Sequence, residues 1–454
     1  VRVIGPVLIA GTALGLLYTL SPLTVVVCGL LLVMARWVRR DLNARERRWL
    51  YALLVAAVVT RLLVIAALFL SAPDTLPFAT FFGDEEMFKS RGLWLRNIGL
   101  GVPISAADFI YALEETGKSH YLFVLAFLGA MFGEAPYGVH VFNMGLYVTG
   151  ALLLYRTVRA SYGPVPALGG FVVLMFLPTL FIWSISALKE PLYTVLAAVE
   201  LVCALQIVRA TTWRRQVLAV VMVVAIAVAL EGLRKGGLLV AVVGTGAGLL
   251  AAAIVARPRW LLATMMLAPL GLVSIVAVPA IEERVLSVLR DSAIYHVGHV
   301  FTPGYSYRTL EAFYYIDPAD IRRIPMGMGD ALAYAFRSAA AYVLEPLPWT
   351  IESRTALVYL PEHMVWLGLA ALTPVGIVMA LRRDAVLTCL LVTHAAVLIM
   401  MVALTSGNIG TLIRHRGLAL PYLVWLSAVG GCEVLRWLAR RPAASPAQLA
   451  YANR

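Results

Sequence analysis

Apolar runs of about 17–25 residues recur along nearly the whole chain, separated by short polar stretches rich in arginine. A run of that length is what an α-helix needs to cross the ~30 Å hydrocarbon layer of a bilayer. Inside lipid the backbone must satisfy its own hydrogen bonds, which leaves the helix as the natural reading of such runs. The pattern predicts spans at about 4–20, 22–38, 50–71, 137–155, 164–183, 190–208, 216–232, 236–256, 259–279, 357–381, 385–405 and 416–436. Pro164, Pro191 and Pro258 stand near predicted helix starts, where a missing N–H costs little. The expected fold is an all-α polytopic membrane protein with about 12 transmembrane helices (range 10–13). Two long extracytoplasmic loops containing short helices, at about 72–136 and 280–356, complete it.

The arginines orient these spans. Arg36, Arg39, Arg40, Arg45, Arg47 and Arg48 lie between the second and third runs. Arg156 and Arg159, Arg209, Arg214 and Arg215, Arg257 and Arg259, Arg382 and Arg383, and Arg436, Arg440 and Arg441 mark further loops. Positive charge near span ends favours the cytoplasm. With twelve spans these loops share the cytoplasmic side, together with both termini and the tail at 442–454. The first run is read as a retained helix rather than a signal peptide. Residues 120–133 are apolar but short for a crossing, and are expected to lie half-inserted or at the interface. No internal repeat divides the chain, so 1–454 is read as one integral membrane domain.

Composition agrees with this and excludes other classes. The chain is 61% hydrophobic and 14% charged, with mean hydropathy +0.86, which no soluble domain of 454 residues resembles. The net charge of +12 comes almost entirely from loop arginines. No basic stripe lies on a soluble domain, so nucleic acid is not an expected partner; the lipid bilayer is. Cys28, Cys203, Cys389 and Cys432 lie in apolar runs without metal-ligand spacing and read as small buried hydrophobes.

Polar groups gather on the opposite, extracytoplasmic face. Asp84-Glu85-Glu86 follow Phe81-Phe82-Gly83 at the start of the first long loop. Carboxylates at a membrane–water boundary can take a proton from a hydroxyl or coordinate a cation. Equally, they can simply sit at a solvated helix N-terminus, favoured by its dipole. All four lysines (Lys89, Lys118, Lys189 and Lys235) fall on this face. Lys189-Glu190 precede Pro191, Arg234-Lys235 separate two spans, and Arg414-His415-Arg416 precede the last span. Cations on the disfavoured side call for a compensating anion, which is either a protein carboxylate or a phosphate. The second loop adds Arg308, Glu311, Tyr314, Tyr315, Asp317, Arg322 and Arg323, with Glu345-Pro346-Leu347-Pro348-Trp349 after them. Its aromatic rings suit sugar faces or the headgroup belt. His296, His299 and His363 show no metal motif and receive no ligand role.

A carboxylate pair just after an early span, in a long first outer loop, resembles the GT-C superfamily of integral membrane glycosyltransferases. The protein-mannosyltransferase and aminoarabinose-transferase branch is the most similar. Leu128-Gly129-Ala130-Met131-Phe132-Gly133, Tyr155-Arg156, Tyr162-Gly163, Leu177-Pro178, Trp183-Ser184 and Lys189-Glu190-Pro191-Leu192 resemble its middle region in order. Gly407-Asn408, Arg414-His415-Arg416 and Pro421 resemble a signature of bacterial polysaccharide-assembly enzymes. The resemblance covers about 50–430, mostly as topology, and departs in the Asp-Glu-Glu run, the two extra early spans and the lack of a large soluble C-terminal domain.

The resemblance implies sugar transfer from a polyprenyl-phosphate-linked donor to an extracytoplasmic glycan, lipid or protein acceptor, with inversion. Asp84 would be the base and Glu85 its partner. Lys189, Arg234, Lys235, Arg308, Arg414, His415 and Arg416 would form the substrate-binding set. No cofactor is required, and a divalent cation (Mg or Mn) at the acidic run is compatible with the scheme. The implied place is the plasma (inner) membrane, in cell-envelope polysaccharide biosynthesis. Three other readings stay open: a lipid-linked polysaccharide polymerase, a lipid-linked-sugar flippase or transporter, and a structural or accessory subunit of a polysaccharide complex. The polymerase would make a ladder of products. Transporters usually carry repeats and midplane ion sites, whereas Arg61 and Glu200 are the main mid-span charges here.

Overall fold

A computed structural model describes residues 21–73, 79–115, 119–135, 137–316, 324–351 and 357–439, with positions 5, 7 and 10–15. Most of the predicted 4–20 span, Lys118, Asp317, Arg322, Arg323, Arg440, Arg441 and the 442–454 tail lie outside the described residues. The described chain is helical, apart from short connections and one antiparallel bridge between Ser306 and Asn408.

It forms two compact units. Unit 1 is Val1–Thr157 with Phe171–Gly246; unit 2 is Val158–Gly170 with Ala247–Arg454. Eight described helices are long and apolar enough to cross a membrane, or nine if one bent pair counts as a single span. The protein is therefore a multi-pass membrane protein. Twelve crossings were expected. The helix at Pro22–Val38 (α1) has 17 residues, at the lower limit for a crossing, and is not among these eight.

Unit 1 continues with α2 (Ala44–Ser71), α3 (Gly83–Gly99), α4 (Ala106–Leu113), α5 (Tyr121–Phe132) and α6 (Gly138–Tyr162). Asn43 starts α2 by accepting the Glu46 N–H at 2.8 Å. At 12 residues, α5 is about 18 Å long, well short of a bilayer. It lies against α3, where Gly92 leaves room for Leu125; a Cβ there would come within 2.8 Å of the leucine.

The next apolar run is broken. Helices α7 (Pro164–Phe176) and α8 (Pro178–Ile185) meet at 63°. Pro178 has no N–H, so the Leu174 carbonyl loses its intrahelical donor. The Tyr147 hydroxyl supplies one at 2.8 Å. Arg61, fully buried in the middle of α2, gives Nη2 to the Met175 carbonyl at 2.8 Å and Nε to Ser184 Oγ at 2.7 Å. Its guanidinium also lies over the Phe181 ring. A charge in mid-span is thus used to close the backbone of a helix break, where water cannot. The helices α9 (Glu190–Arg209), α10 (Trp213–Leu233) and α11 (Gly237–Val255) follow. The second mid-span charge, Glu200, accepts the Thr245 hydroxyl at 2.5 Å.

Unit 2 holds α12 (Pro258–Ala277), α13 (Pro279–Val300), α14 (Met328–Leu344), α15 (Leu360–Leu381), α16 (Ala385–Thr405) and α17 (Ile409–Ala439). Helices α15 and α17 touch backbone to backbone: Gly376 faces the Leu426 carbonyl and Gly430 the Leu372 carbonyl. Small residues permit such approaches in membranes. Two expectations change here. The 280–356 stretch was expected as a loop with short helices, yet it opens with the 22-residue α13. Arg414-His415-Arg416 were expected before the last span, yet α17 begins at Ile409 and contains them. The reason is Asn408, whose side chain accepts the Gly410 N–H at 2.9 Å and so starts the helix early.

Candidate functional site

The acidic run forms the first turn of α3, where its charges oppose the helix dipole favourably. Its three carboxylates have different surroundings. Asp84 and Glu86 are exposed, while Glu85 is fully buried. Glu85 Oε1 accepts the N–H groups of Phe81 (3.1 Å) and Phe82 (3.2 Å), and Oε2 accepts that of Ala187 at 2.9 Å. Burial pushes the Glu85 carboxyl above its usual range, against the pull of these three N–H donors. Glu85 therefore ties the start of α3 to the turn between α8 and α9, leaving its two neighbours to face outward.

That turn is gripped from α6 as well. His140 Nδ1 lies 2.7 Å from the Ile185 carbonyl. Asn143 Nδ2 lies 2.6 Å from the Ser186 carbonyl, 2.9 Å from that of Leu188 and 2.9 Å from the Tyr121 hydroxyl. Both side chains are buried. They fix the residues just before Lys189, whose ammonium sits 5.8 Å from the centre of the Phe88 ring. Phe88 is one helical turn after Asp84, on the same face. Lys189 is half-buried and Lys235 exposed. Arg234, in the α10–α11 turn, lies 3.9 Å from Glu190 at the start of α9. That turn is docked by the His120 N–H on the Gly232 carbonyl (2.8 Å) and Ser119 Oγ on that of Leu233 (3.0 Å).

Asp84, Glu85, Lys189, Arg234 and Lys235 all belong to unit 1; Arg308, Arg414, His415 and Arg416 belong to unit 2. Arg308 is exposed, with its guanidinium over the Tyr315 ring at 5.1 Å. Arg414 and His415 are half-buried in the second turn of α17. Arg416 is buried and serves the end of α14. It donates to the carbonyls of Tyr342 and Glu345, and Trp366 Nε1 donates to that of Val343 at 3.0 Å. Helix C-termini leave carbonyls without donors, and this cation is spent on them. In unit 1 Arg91 does the same, donating to the carbonyls of Ala112 and Glu114 at the end of α4.

A third helix end is closed by the histidines that received no role from the sequence. Beyond α16, the Ser406 carbonyl takes His296 Nδ1 (2.6 Å) and Tyr307 Oη (2.8 Å), the Thr405 carbonyl takes His299 Nδ1 (2.6 Å), and Tyr334 Oη reaches that of Leu404. The other His296 nitrogen lies 2.9 Å from the Tyr315 hydroxyl, whose oxygen accepts the Thr309 and Leu310 N–H groups. Nδ1 must donate to the Ser406 carbonyl, and Nε2 lies 2.9 Å from the Tyr315 and 3.0 Å from the Thr309 hydroxyl, either of which can donate to it. Burial lowers its pKa from 6.5 to about 4. The folded state then binds this proton less readily than the unfolded chain. Stability is full above about pH 6.5 and falls as pH drops toward 4, by at most about 3 kcal/mol. Thermal midpoints of the detergent-solubilised chain should decline across that window. In His296→Phe the baseline should be lower and this part of the decline absent; an unchanged slope would remove the assignment.

His140, Asn143 and Tyr147 were missed in the sequence, although their i, i+3, i+7 spacing on an apolar helix marks a polar stripe. Among the described residues no group of three His, Cys, Asp or Glu side chains comes together to hold a metal ion. Comparison with known proteins finds no matching family model, no similar curated protein and no similar solved structure.

Proposed function

We propose that this chain is a membrane glycosyltransferase. It moves a sugar from a polyprenyl-phosphate donor to an extracytoplasmic acceptor, inverting the anomeric carbon. The proposal includes the twelve-span topology, in the plasma membrane, with the acidic run on the outer side. What supports the reading is the arrangement around Glu85. Its carboxylate ties the turn that carries the exposed Asp84 to the turn that leads into Lys189, whose ammonium lies 5.8 Å from the centre of the Phe88 ring one helical turn after Asp84.

In this scheme Asp84 takes the proton of the acceptor hydroxyl as its oxygen attacks the anomeric carbon. The bond from that carbon to the phosphate oxygen breaks, and the lipid phosphate leaves with the electron pair. Lys189, Arg234 and Lys235 stabilise the charge that develops on it. Arg308, Arg414 and His415 enter no step. Arg416 is committed to the α14 carbonyls and is left out of the binding set. A magnesium or manganese ion at Asp84 and Glu86 is compatible with the scheme, and no step uses it.

The test is incubation of purified protein, in bilayer, with a panel of polyprenyl-phosphate sugars and acceptor glycans. Release of lipid phosphate with one sugar added per acceptor is expected. A ladder of products would replace the transferase by a polymerase, and no turnover across the panel would overturn the reading.

A further inference from the structure

Helix α14 presents three different edges. Its inner edge, Ala331, Tyr334, Ser338 and Tyr342, is buried at i, i+3, i+7 and i+11 in the core of unit 2. A second edge is apolar yet exposed: Leu332 is 58% and Phe336 76% accessible, at i and i+4. The only two charges among its 17 residues, Asp330 and Arg337, fall near one another on the wheel, outside both edges and beside Leu344, the last residue of the helix. Arg337 pairs there with Glu311 at 2.6 Å.

The exposed apolar edge has neighbours that say what meets it. Arg416 and Trp366 hold the end of α14, and both sit within helices long and apolar enough to cross the membrane. Trp366 is the seventh residue of α15 and Arg416 the eighth of α17, so α14 ends about two turns from where those helices start. A helix fixed at that level lies at the boundary between lipid and water. Trp349, in the turn after α14, is 80% exposed, and indoles favour that same boundary.

We propose that α14 is an interface helix: its Leu332–Phe336 edge lies in the lipid headgroup and acyl boundary while Asp330 and Arg337 face water. Three edges with three solvents explain a helix that is amphipathic twice over. The surface takes a lipid bilayer as its partner, whatever reaction the protein performs.

Nitroxide labels at Phe336→Cys and Arg337→Cys test this, in a full-length chain whose four native cysteines are replaced, in phosphatidylethanolamine/phosphatidylglycerol nanodiscs. The 336 label should collide several-fold more with oxygen, and several-fold less with aqueous nickel chelate, than the 337 label. Equal nickel access at both sites would place the edge in water and overturn the proposal. Exclusion of both reagents at 336, with dipolar broadening, would mean that a second copy covers it. The unmodified chain gives an independent reading. A bilayer-partitioned carbene photolabel should insert at Leu332 and Phe336, and its absence from both, with insertion into α15, would overturn the proposal as well.

Discussion

Asp84→Asn should lower sugar transfer by about 100- to 10,000-fold, the range that general-base catalysis supplies, while expression, membrane insertion and thermal midpoint stay as in the parent. The separation of these readouts follows from the three carboxylates of the α3 start. Asp84 is exposed, so its amide costs the fold little. The neighbouring change, Glu85→Gln, has the opposite profile. An amide has one oxygen for the three N–H groups of Phe81, Phe82 and Ala187, and it turns an NH2 group toward one of these donors. It should lower stability first and activity through it. Transfer assays and thermal midpoints on both variants read the difference. An active Asp84→Asn enzyme would sink the base assignment.

Much of the architecture was legible because hydrophobic length is written in consecutive residues. The predicted 385–405 span coincides with α16, and 190–208 and 236–256 match α9 and α11 to within a residue. The site was legible only in part. The acidic run stood out as charge beside a membrane; that Glu85 alone of its three carboxylates is buried did not. The roles of Arg61, Arg91 and Arg416 could not be read, because their partners are backbone carbonyls up to 114 residues away. A carbonyl has no residue identity, so nothing in the sequence points from the arginine to it. Cations read as phosphate ligands and cations that close helix ends look alike in one dimension. The difference is burial: Arg416 is 4% exposed, whereas Lys235 is open to solvent. In a chain with so little charge, the buried arginines Arg61, Arg91 and Arg416 serve the fold.

The same logic makes Asn143 a sensitive position in unit 1. Its amide nitrogen serves the Ser186 and Leu188 carbonyls, which follow α8 where no helix continues. Two carbonyl oxygens, which can only accept, identify the atom between them as the nitrogen. Asn143→Asp keeps the shape and reverses the electrostatics, placing a carboxylate against two carbonyl oxygens with no water to intervene. Such a buried, uncompensated charge costs about 3–5 kcal/mol. Asn143→Leu only orphans the two carbonyls, at about 1–3 kcal/mol each. Neither change touches an exposed group. The thermal midpoint in detergent should therefore fall in both variants, and furthest in Asn143→Asp. In Asn143→Leu protein that still folds, the loosened turn should weaken donor use, because Lys189 follows the two freed carbonyls directly. If Asn143→Asp is as stable as the parent, the amide does not hold this turn, and the link from α6 to Lys189 is broken with it.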